Sequence, residues 1–365
     1  MSASDLTVQG ENGADIISVD AMGGDHGPKV VVNGMARAAR SHPDVSYLVH
    51  GDESLLNKLI ARRRILRDRC HIRHARSVVT MASRPSQVMR HGKDTSMWSA
   101  IESLRNGEAS AAVSCGNTGA LMAVSMIILR KAPGIKRPAI ACLWPSRNPS
   151  GFNVLLDVGA DIKADLHDLV GYAVMGADYC RSGLRIKRPR VGLLNVGTEA
   201  HKGRPEIRAA HEMIEKEADK FDFEYVGFLE GSDIPSSRAD VFVTDGFSGN
   251  LVLKSVEGTA SLIREFMKEA FAHTPLSRIG ALFALTSLRR LTRRIDPRRV
   301  NGGVFLGLNG TVVKSHGSAD GVGVGAAINL AVRMARTGDT NNSGLEGQFL
   351  HPSAAPAKQC QSPAE

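Results

Sequence analysis

The 365-residue chain is poor in aromatic side chains: four Tyr, two Trp and 11 Phe, 5% in all. It also lacks helix-turn-helix and zinc-finger spacings, so its basic balance does not point to nucleic acid. Cysteine is scarce too. Cys70, Cys115, Cys142, Cys180 and Cys360 are scattered, odd in number and never in CxxC spacing. That argues against a disulfide framework or a zinc site and fits a reducing, cytoplasmic setting. No apolar run approaches the roughly 18 residues that span a bilayer. Residues 1–15 are polar and acidic without the apolar core of a signal peptide, so secretion is not expected. Nor do carboxylates cluster as a divalent metal requires. Neither a metal nor a cofactor is expected.

What is plentiful is glycine, with 37 residues against a usual ~7% of a chain. Many glycines follow apolar runs, which places tight loops at strand ends. Strand patterns at Ile16–Asp20, Val45–His50, Cys70–His74, Ala111–Ser114, Ala139–Leu143, Asn153–Asp157, Arg190–Leu194, Phe223–Phe228, Val241–Thr244 and Val304–Leu308 alternate with helical patterns. The helices are expected around 29–40, 53–67, 85–91, 95–106, 118–130, 163–182, 204–219, 250–272 and 321–336. Such alternation predicts an α/β fold with a doubly wound, mostly parallel, Rossmann-like sheet and helices on both faces. No linker marks a boundary, so residues 16–336 read as one domain, with two lobes as an open alternative. Residues 1–15 and 337–365 read as flexible extensions.

Six stretches carry candidate chemistry. In Asp20-Ala21-Met22-Gly23-Gly24-Asp25-His26-Gly27-Pro28 an apolar strand runs into a Gly-rich turn, and Pro28 fits a first helical turn. Such a turn frees backbone N–H groups for an anion, and the helix dipole favours negative charge there. Ser114-Cys115-Gly116-Asn117-Thr118-Gly119 repeats the arrangement; simple capping by Asn117 or Thr118 is the plainer explanation. Cys115 invites comparison with a nucleophilic thiol, because a helix N-terminus lowers a thiol pKa, but no His is set beside it by sequence. Asp157 ends the strand from Asn153 and is placed to cap the next helix. In Asn195-Val196-Gly197-Thr198-Glu199-Ala200-His201-Lys202-Gly203, Lys202 is a natural partner for phosphate or an oxyanion. In Asp245-Gly246-Phe247-Ser248-Gly249-Asn250, two glycines let the backbone approach a ligand, and Asn250 caps a helix or donates an amide N–H. Further on, Lys314-Ser315-His316-Gly317-Ser318 adds His316 and Ser318 as residues that line a cleft.

In this order, DAMGGDHGP, S-x-G-N-T-G-A, D-x-G-A, N-x-G-x-E-x-x-K-G, T-D-G-F-x-G-N and K-S-H-G-S resemble the motifs of the bacterial PlsX phosphate acyltransferase family (acyl-ACP:phosphate acyltransferase). The resemblance spans residues 16–330. The family commonly has Ala where this chain has Cys115. The resemblance implies the phosphotransacetylase/isocitrate-dehydrogenase-like architecture. It also implies a reaction in which inorganic phosphate takes a fatty acyl group from acyl carrier protein, giving acyl phosphate for phospholipid synthesis. A homodimer is then expected, as is a downstream membrane acyltransferase that forms acylglycerol phosphate. Gly23, Gly24 and Gly116 to Thr118 would cradle phosphate or pantetheine. For Asp157 the resemblance implies, as the alternative to a cap, a position near the cleft. Lys202 would neutralise phosphate or the oxyanion, and Asn250 would donate to the thioester carbonyl. Asp20, Asp25, His26 and Asp245 would orient these groups or relay a proton.

Charge is concentrated. The terminal stretches carry −3 and −2, so the middle must hold +14 for the chain to reach its net +9. Residues 278–299 contain seven Arg and one Asp. Within the basic amphipathic segment 264–299, Leu282, Phe283, Leu285 and Leu288 precede Arg289, Arg290, Arg293 and Arg294. This composition suits an interfacial helix on an anionic membrane surface, which would place the protein peripherally on the inner face. Burial against a dimer mate and docking of the acidic carrier remain alternatives. Two other functions compete with the main one: a phosphotransacetylase-like enzyme using acyl-coenzyme A or a metal-dependent dehydrogenase relative, and a non-catalytic membrane-surface scaffold that binds acyl carrier protein.

Overall fold

The computed structural model describes residues 15–288 and 302–337. The expected extensions over residues 1–15 and 337–365, apart from Asp15 and Thr337, lie outside the described residues, as do Arg289, Arg290, Arg293 and Arg294. The strands are β1 (Ile16–Asp20), β2 (Ser46–Gly51), β3 (Cys70–His74), β4 (Ala111–Ser114), β5 (Ala139–Pro145), β6 (Phe152–Leu156), β7 (Arg190–Leu194), β8 (Glu224–Leu229), β9 (Val241–Val243), β10 (Gly303–Leu306) and β11 (Thr311–Lys314). The helices are α1 (Pro28–Ser41), α2 (Glu53–Ala61), α3 (Pro85–His91), α4 (Ser96–Arg105), α5 (Thr118–Ile128), α6 (Leu166–Leu184), α7 (Pro205–Glu217), α8 (Gly246–Ala272), α9 (Pro275–Phe283) and α10 (Gly321–Arg336).

The strands form one sheet in the order β3-β2-β1-β4-β11-β10-β5-β6-β9-β7-β8. Most neighbours are parallel; the central pairs β11/β10, β10/β5 and β5/β6 are antiparallel. Two parallel halves therefore run in opposite directions. The C-termini of β1, β4 and β11 share one edge, with Asp20 and Lys314 both in register with Ser114. The C-termini of β6, β7 and β9 share the other edge. Central strands are apolar throughout because both faces are covered. Ala112 and Val312 face one core cluster while Val113 and Val313 face the other.

Three elements differ from expectation. The helix expected over 53–67 stops at Ala61, and a 3-10 turn at Arg64–Leu66 brings Leu66 into the core with Leu56 and Ile60. The expected strand over Val304–Leu308 ends at Leu306, where Gly307 takes a positive φ, and β11 returns beside it. α8 begins four residues before Asn250, because Asp245 caps it by accepting from the Ser248 N–H. Near the C-terminus, α10 crosses α1 at a glycine contact: a Cβ on Gly34 would lie 2.5 Å from that of Val324. Gly325 meets the Gly34 carbonyl in the same way, so these α10 glycines serve packing.

Candidate active site

Asp20 ends β1 and is buried. Its carboxylate accepts from Ser96 Oγ and Ser114 Oγ, each at 2.7 Å, and from the Met22 N–H at 3.3 Å. Burial raises its pKa, and these donors pull it back. Ser114 Oγ in turn accepts from the Gly116 N–H. One carboxylate thus ties the 21–27 loop, the 115–117 loop and the start of α4 together. The loops touch so closely that a Cβ on Gly23 would lie 2.7 Å from Gly116 N. Gly24, at φ +96°, is packed against Cys115 and the Gly317 carbonyl, and the Asp25 N–H donates to that same carbonyl at 2.8 Å. Asp25 and His26 are exposed.

Asn117 caps α5 by accepting from the Ala120 N–H, and its amide donates to the Met81 carbonyl at 2.7 Å. Thr118 is the first residue of α5 and faces the cavity described next. Cys115 is buried, and burial pushes its thiol up to about 11, opposite to the lowered value expected at a helix N-terminus. It is not an activated thiolate.

On the other half of the sheet, Asp157 is also buried. It caps nothing; α6 is capped by Asp165. Its carboxylate accepts from the N–H groups of Ile140, Gly159, Ala160 and Asp161. The first turn of α8 presses onto this loop: a Cβ on Gly249 would lie 1.9 Å from the Asp157 carbonyl oxygen, and one on Gly246 would lie 2.5 Å from its carboxylate. Asn250 therefore lies within α8, beside Gly159, and the cap expected of it belongs to Asp245.

Between α8 and the central strands lies a cavity of about 770 Å³. Its apolar length is lined by Ile140, Leu143, Trp144, Leu253, Val256 and Ile263. Its polar wall carries Asp25, Thr118, Asn250, Lys254, Lys314 and His316. Lys254 Nζ donates to His316 Nε2 at 2.6 Å, and His316 Nδ1 accepts from the Ser318 N–H at 3.2 Å and lies 2.7 Å from Ser318 Oγ. Burial and the Lys254 ammonium lower the His316 pKa and keep the ring neutral. Lys254 also pairs with Glu257 at 2.7 Å. Glu257 lines the same wall, so the lysine without an ion-pair partner there among the described residues is Lys314, and an apolar slot ending on such a cation suits an amphipathic anionic reactant.

The 195–203 loop stands apart. Lys202 Nζ pairs with Glu199 at 2.7 Å, Asn195 Nδ2 donates to the Lys202 carbonyl at 3.1 Å, and the Lys202 side chain packs over Gly197. None of these four lines the cavity. The loop adjoins α8 through Arg204, which pairs with Asp245.

The family model described as "Fatty acid synthesis protein" matches residues 16–341. A phosphate acyltransferase of Jannaschia sp. (strain CCS1) is 66% identical over 326 residues, 89% of each chain. One from Paracoccus denitrificans (strain Pd 1222) is 64% identical over 329 residues, covering 90% of this chain and 89% of that protein. The chain belongs to the phosphate acyltransferase family. The family's sheet is shared with more distant enzymes. A phosphotransacetylase from Streptococcus pyogenes superposes with a TM-score of 0.58 at 18% identity, covering 89% of this chain and 95% of that one. The EutD phosphotransacetylase from Staphylococcus aureus gives 0.56 at 14%, covering 88% and 94%.

Among the residues expected from sequence, the structure gathers Asp25, Thr118, Asn250 and His316 on the cavity wall, with Gly24 and Ser318 next to them. Asp20, Gly23, Ser114, Gly116, Asp157, Gly246 and Gly249 stand behind as supports for the phosphate acyltransferase loops, and Asn117 links two of these loops. Lys254 and Lys314 were missed. Lys254 follows Asn250 by four residues on one helix face, and Lys314 is a charge at the end of an apolar strand run; both signals stand in the sequence.

Proposed function

We infer that the protein is an enzyme that transfers an acyl group to inorganic phosphate. The observation that carries this reading is the single cavity wall in which an apolar slot meets two lysines and the glycine loops. For the finer assignment, we propose that the donor is a long-chain acyl thioester of acyl carrier protein. A phosphate oxygen attacks the carbonyl, the C–O bond forms as the C–S bond breaks, and the proton carried by HPO₄²⁻ ends on the departing thiol. Phosphate is already a nucleophile and a thioester already activated, so the protein's work is orientation and oxyanion stabilisation. Orientation alone supplies up to ~7–11 kcal/mol.

In this scheme Asn250 donates to the thioester carbonyl, and Asp25 and His26 orient the reactants at the exposed loop. Lys202 is a further cation for phosphate or the oxyanion, and it reaches the ligand by leaving Glu199, an exposed pair of small worth. We propose too that a second copy of the chain covers the exposed apolar face of α8, and that the end of α9 rests on an anionic membrane beside the acyltransferase that takes the product.

The purified protein, mixed with long-chain acyl carrier protein and radiolabelled phosphate without added metal, should give labelled acyl phosphate. Labelled product from acyl-coenzyme A alone would move the donor to coenzyme A. Carrier binding without product from either donor would leave only the scaffold reading.

A further inference from the structure

Lys314 is the only buried lysine or arginine among the described residues, with 8% of its surface exposed. Its Nζ donates to the Ser315 carbonyl, and no carboxylate forms an ion pair with it among the described residues. An ammonium held this way is expensive, because one carbonyl and the more distant Asp20 and Asp25 repay only part of its lost hydration. It is nevertheless fixed in place: β11 pairs Lys314 with Ser114, and the Ser315 N–H donates to the Ser114 carbonyl at 2.9 Å. That register sets the ammonium beside the N-terminus of α5. There Asn117 satisfies the Ala120 N–H, while the Thr118 and Gly119 N–H groups have no bonded partner among the described residues. Lys254 faces the same wall from α8, and the two like charges oppose each other. A buried cation without an ion-pair partner and a pair of N–H groups without bonded partners, both among the described residues, lack the same thing, a small multivalent anion.

We propose that Lys314 holds the phosphate nucleophile at the polar end of the cavity, together with the first turn of α5. The proposal rests on the reading of the protein as an enzyme that uses phosphate. Lys314 binds the non-attacking oxygens and leaves the fourth to face the acyl carbonyl. A charge-assisted contact of this kind predicts an about 10- to 100-fold higher phosphate KM when the charge is removed.

Lys314→Met and Lys314→Gln test it. Both should fold with a melting temperature equal to or above that of the wild type, since they remove an unpaired buried charge. Both should raise the phosphate KM by that factor while leaving the KM for the acyl donor within about twofold. A merely structural lysine would lower the melting temperature and leave the phosphate KM alone; that result overturns the proposal. A second measurement uses the wild-type protein and inorganic phosphate without any acyl donor. Saturating phosphate, but not chloride at equal ionic strength, should slow labelling of Lys314 by an amine-reactive reagent, read by peptide mass spectrometry. Equal labelling with and without phosphate overturns the proposal even if both variants fail to fold. Protection of Lys314 in a protein that makes no acyl phosphate would keep the anion site and discard the acyl transfer.

Discussion

Two opposite charges are buried at the polar end of the cavity and are held in different ways. Asp20 is surrounded by donors and serves the loops: its oxygens are used by Ser96, Ser114 and Met22, and none faces the cavity. Lys314 faces the cavity, and burial pushes its ammonium down to about 8. The groups around it are Asp20 from β1, Asp25 from the loop before α1, Cys115 from the loop before α5, Lys254 from α8 and His316 beside it. Burial pushes the Cys115 thiol up to about 11, and burial with the Lys254 ammonium lowers the His316 pKa. Between about pH 7 and 10 Lys314 therefore loses its charge, in a range where a lysine at the ordinary ~10.4 would keep most of it. Loss of its proton removes the positive charge, so phosphate binding weakens as pH rises through about 8. The expected result is a phosphate kcat/KM that falls up to about tenfold per pH unit above that point, with the limb absent in Lys314→Met. A phosphate kcat/KM that stays flat to about pH 9.5 in the wild type would remove Lys314 from phosphate binding.

At the scale of elements, α8 decides whether the two halves of the sheet make one site. It starts at the β9 edge and, two turns on, puts Lys254 against His316 from the opposite edge. Its start is set by Gly249, which lies against the Asp157 carbonyl, whereas Gly258 on the same helix has nothing within 4 Å of a built Cβ. The same substitution should therefore have opposite effects. Gly249→Ala should cost about 1–3 kcal/mol in urea unfolding and displace Asn250, with activity falling alongside. Gly258→Ala should be neutral or add up to ~1 kcal/mol, with activity unchanged. Equal effects at the two glycines would mean that α8 is not seated on the Asp157 loop. This contact also marks how far the sequence could be read. The alternation of strands and helices was legible because each central strand is covered on both faces and each glycine loop follows an apolar run. The start of α8 was not, since Asp245 and Asn250 are equally good caps by residue type and only the collision at Gly249 distinguishes them. Asp157 likewise reads either as a helix cap or, by resemblance, as a residue near the cleft, and only the structure shows its carboxylate used by four backbone N–H groups. Lys314 escaped notice because lysines at strand ends are usually solvated, and its burial depends on β11 lying between β4 and β10.

For the whole molecule, the question is what covers the apolar surface that the fold leaves bare. The 27 residues of α8 bury only Gly246 and Gly249, and Phe247, Leu251, Leu262, Ile263 and Phe266 are exposed along it. α9 follows after two residues and contacts α8, and its far end exposes Leu282 and Phe283, the latter at 86%. Among the described residues, no helix is long and apolar enough to cross a membrane. Leu282 and Phe283 are followed within a dozen residues by Arg289, Arg290, Arg293 and Arg294, four arginines in six residues. A second copy suits the long face of α8, whereas an apolar end joined to arginines suits an anionic bilayer, where Phe283 enters the acyl boundary and the arginines meet headgroups. The full-length protein should therefore float with vesicles containing anionic lipid and not with purely zwitterionic ones. Phe283→Ser should weaken that binding about 10-fold, the worth of one buried aromatic side chain. Raising the salt should weaken it as well, because the arginine contribution is screened within ~8–10 Å. Phe283 does not line the cavity, so the variant should keep its turnover in a vesicle-free assay. Undiminished vesicle binding by Phe283→Ser, together with a shift from dimer to monomer in sedimentation, would assign the end of α9 to the second copy and leave the membrane to another surface.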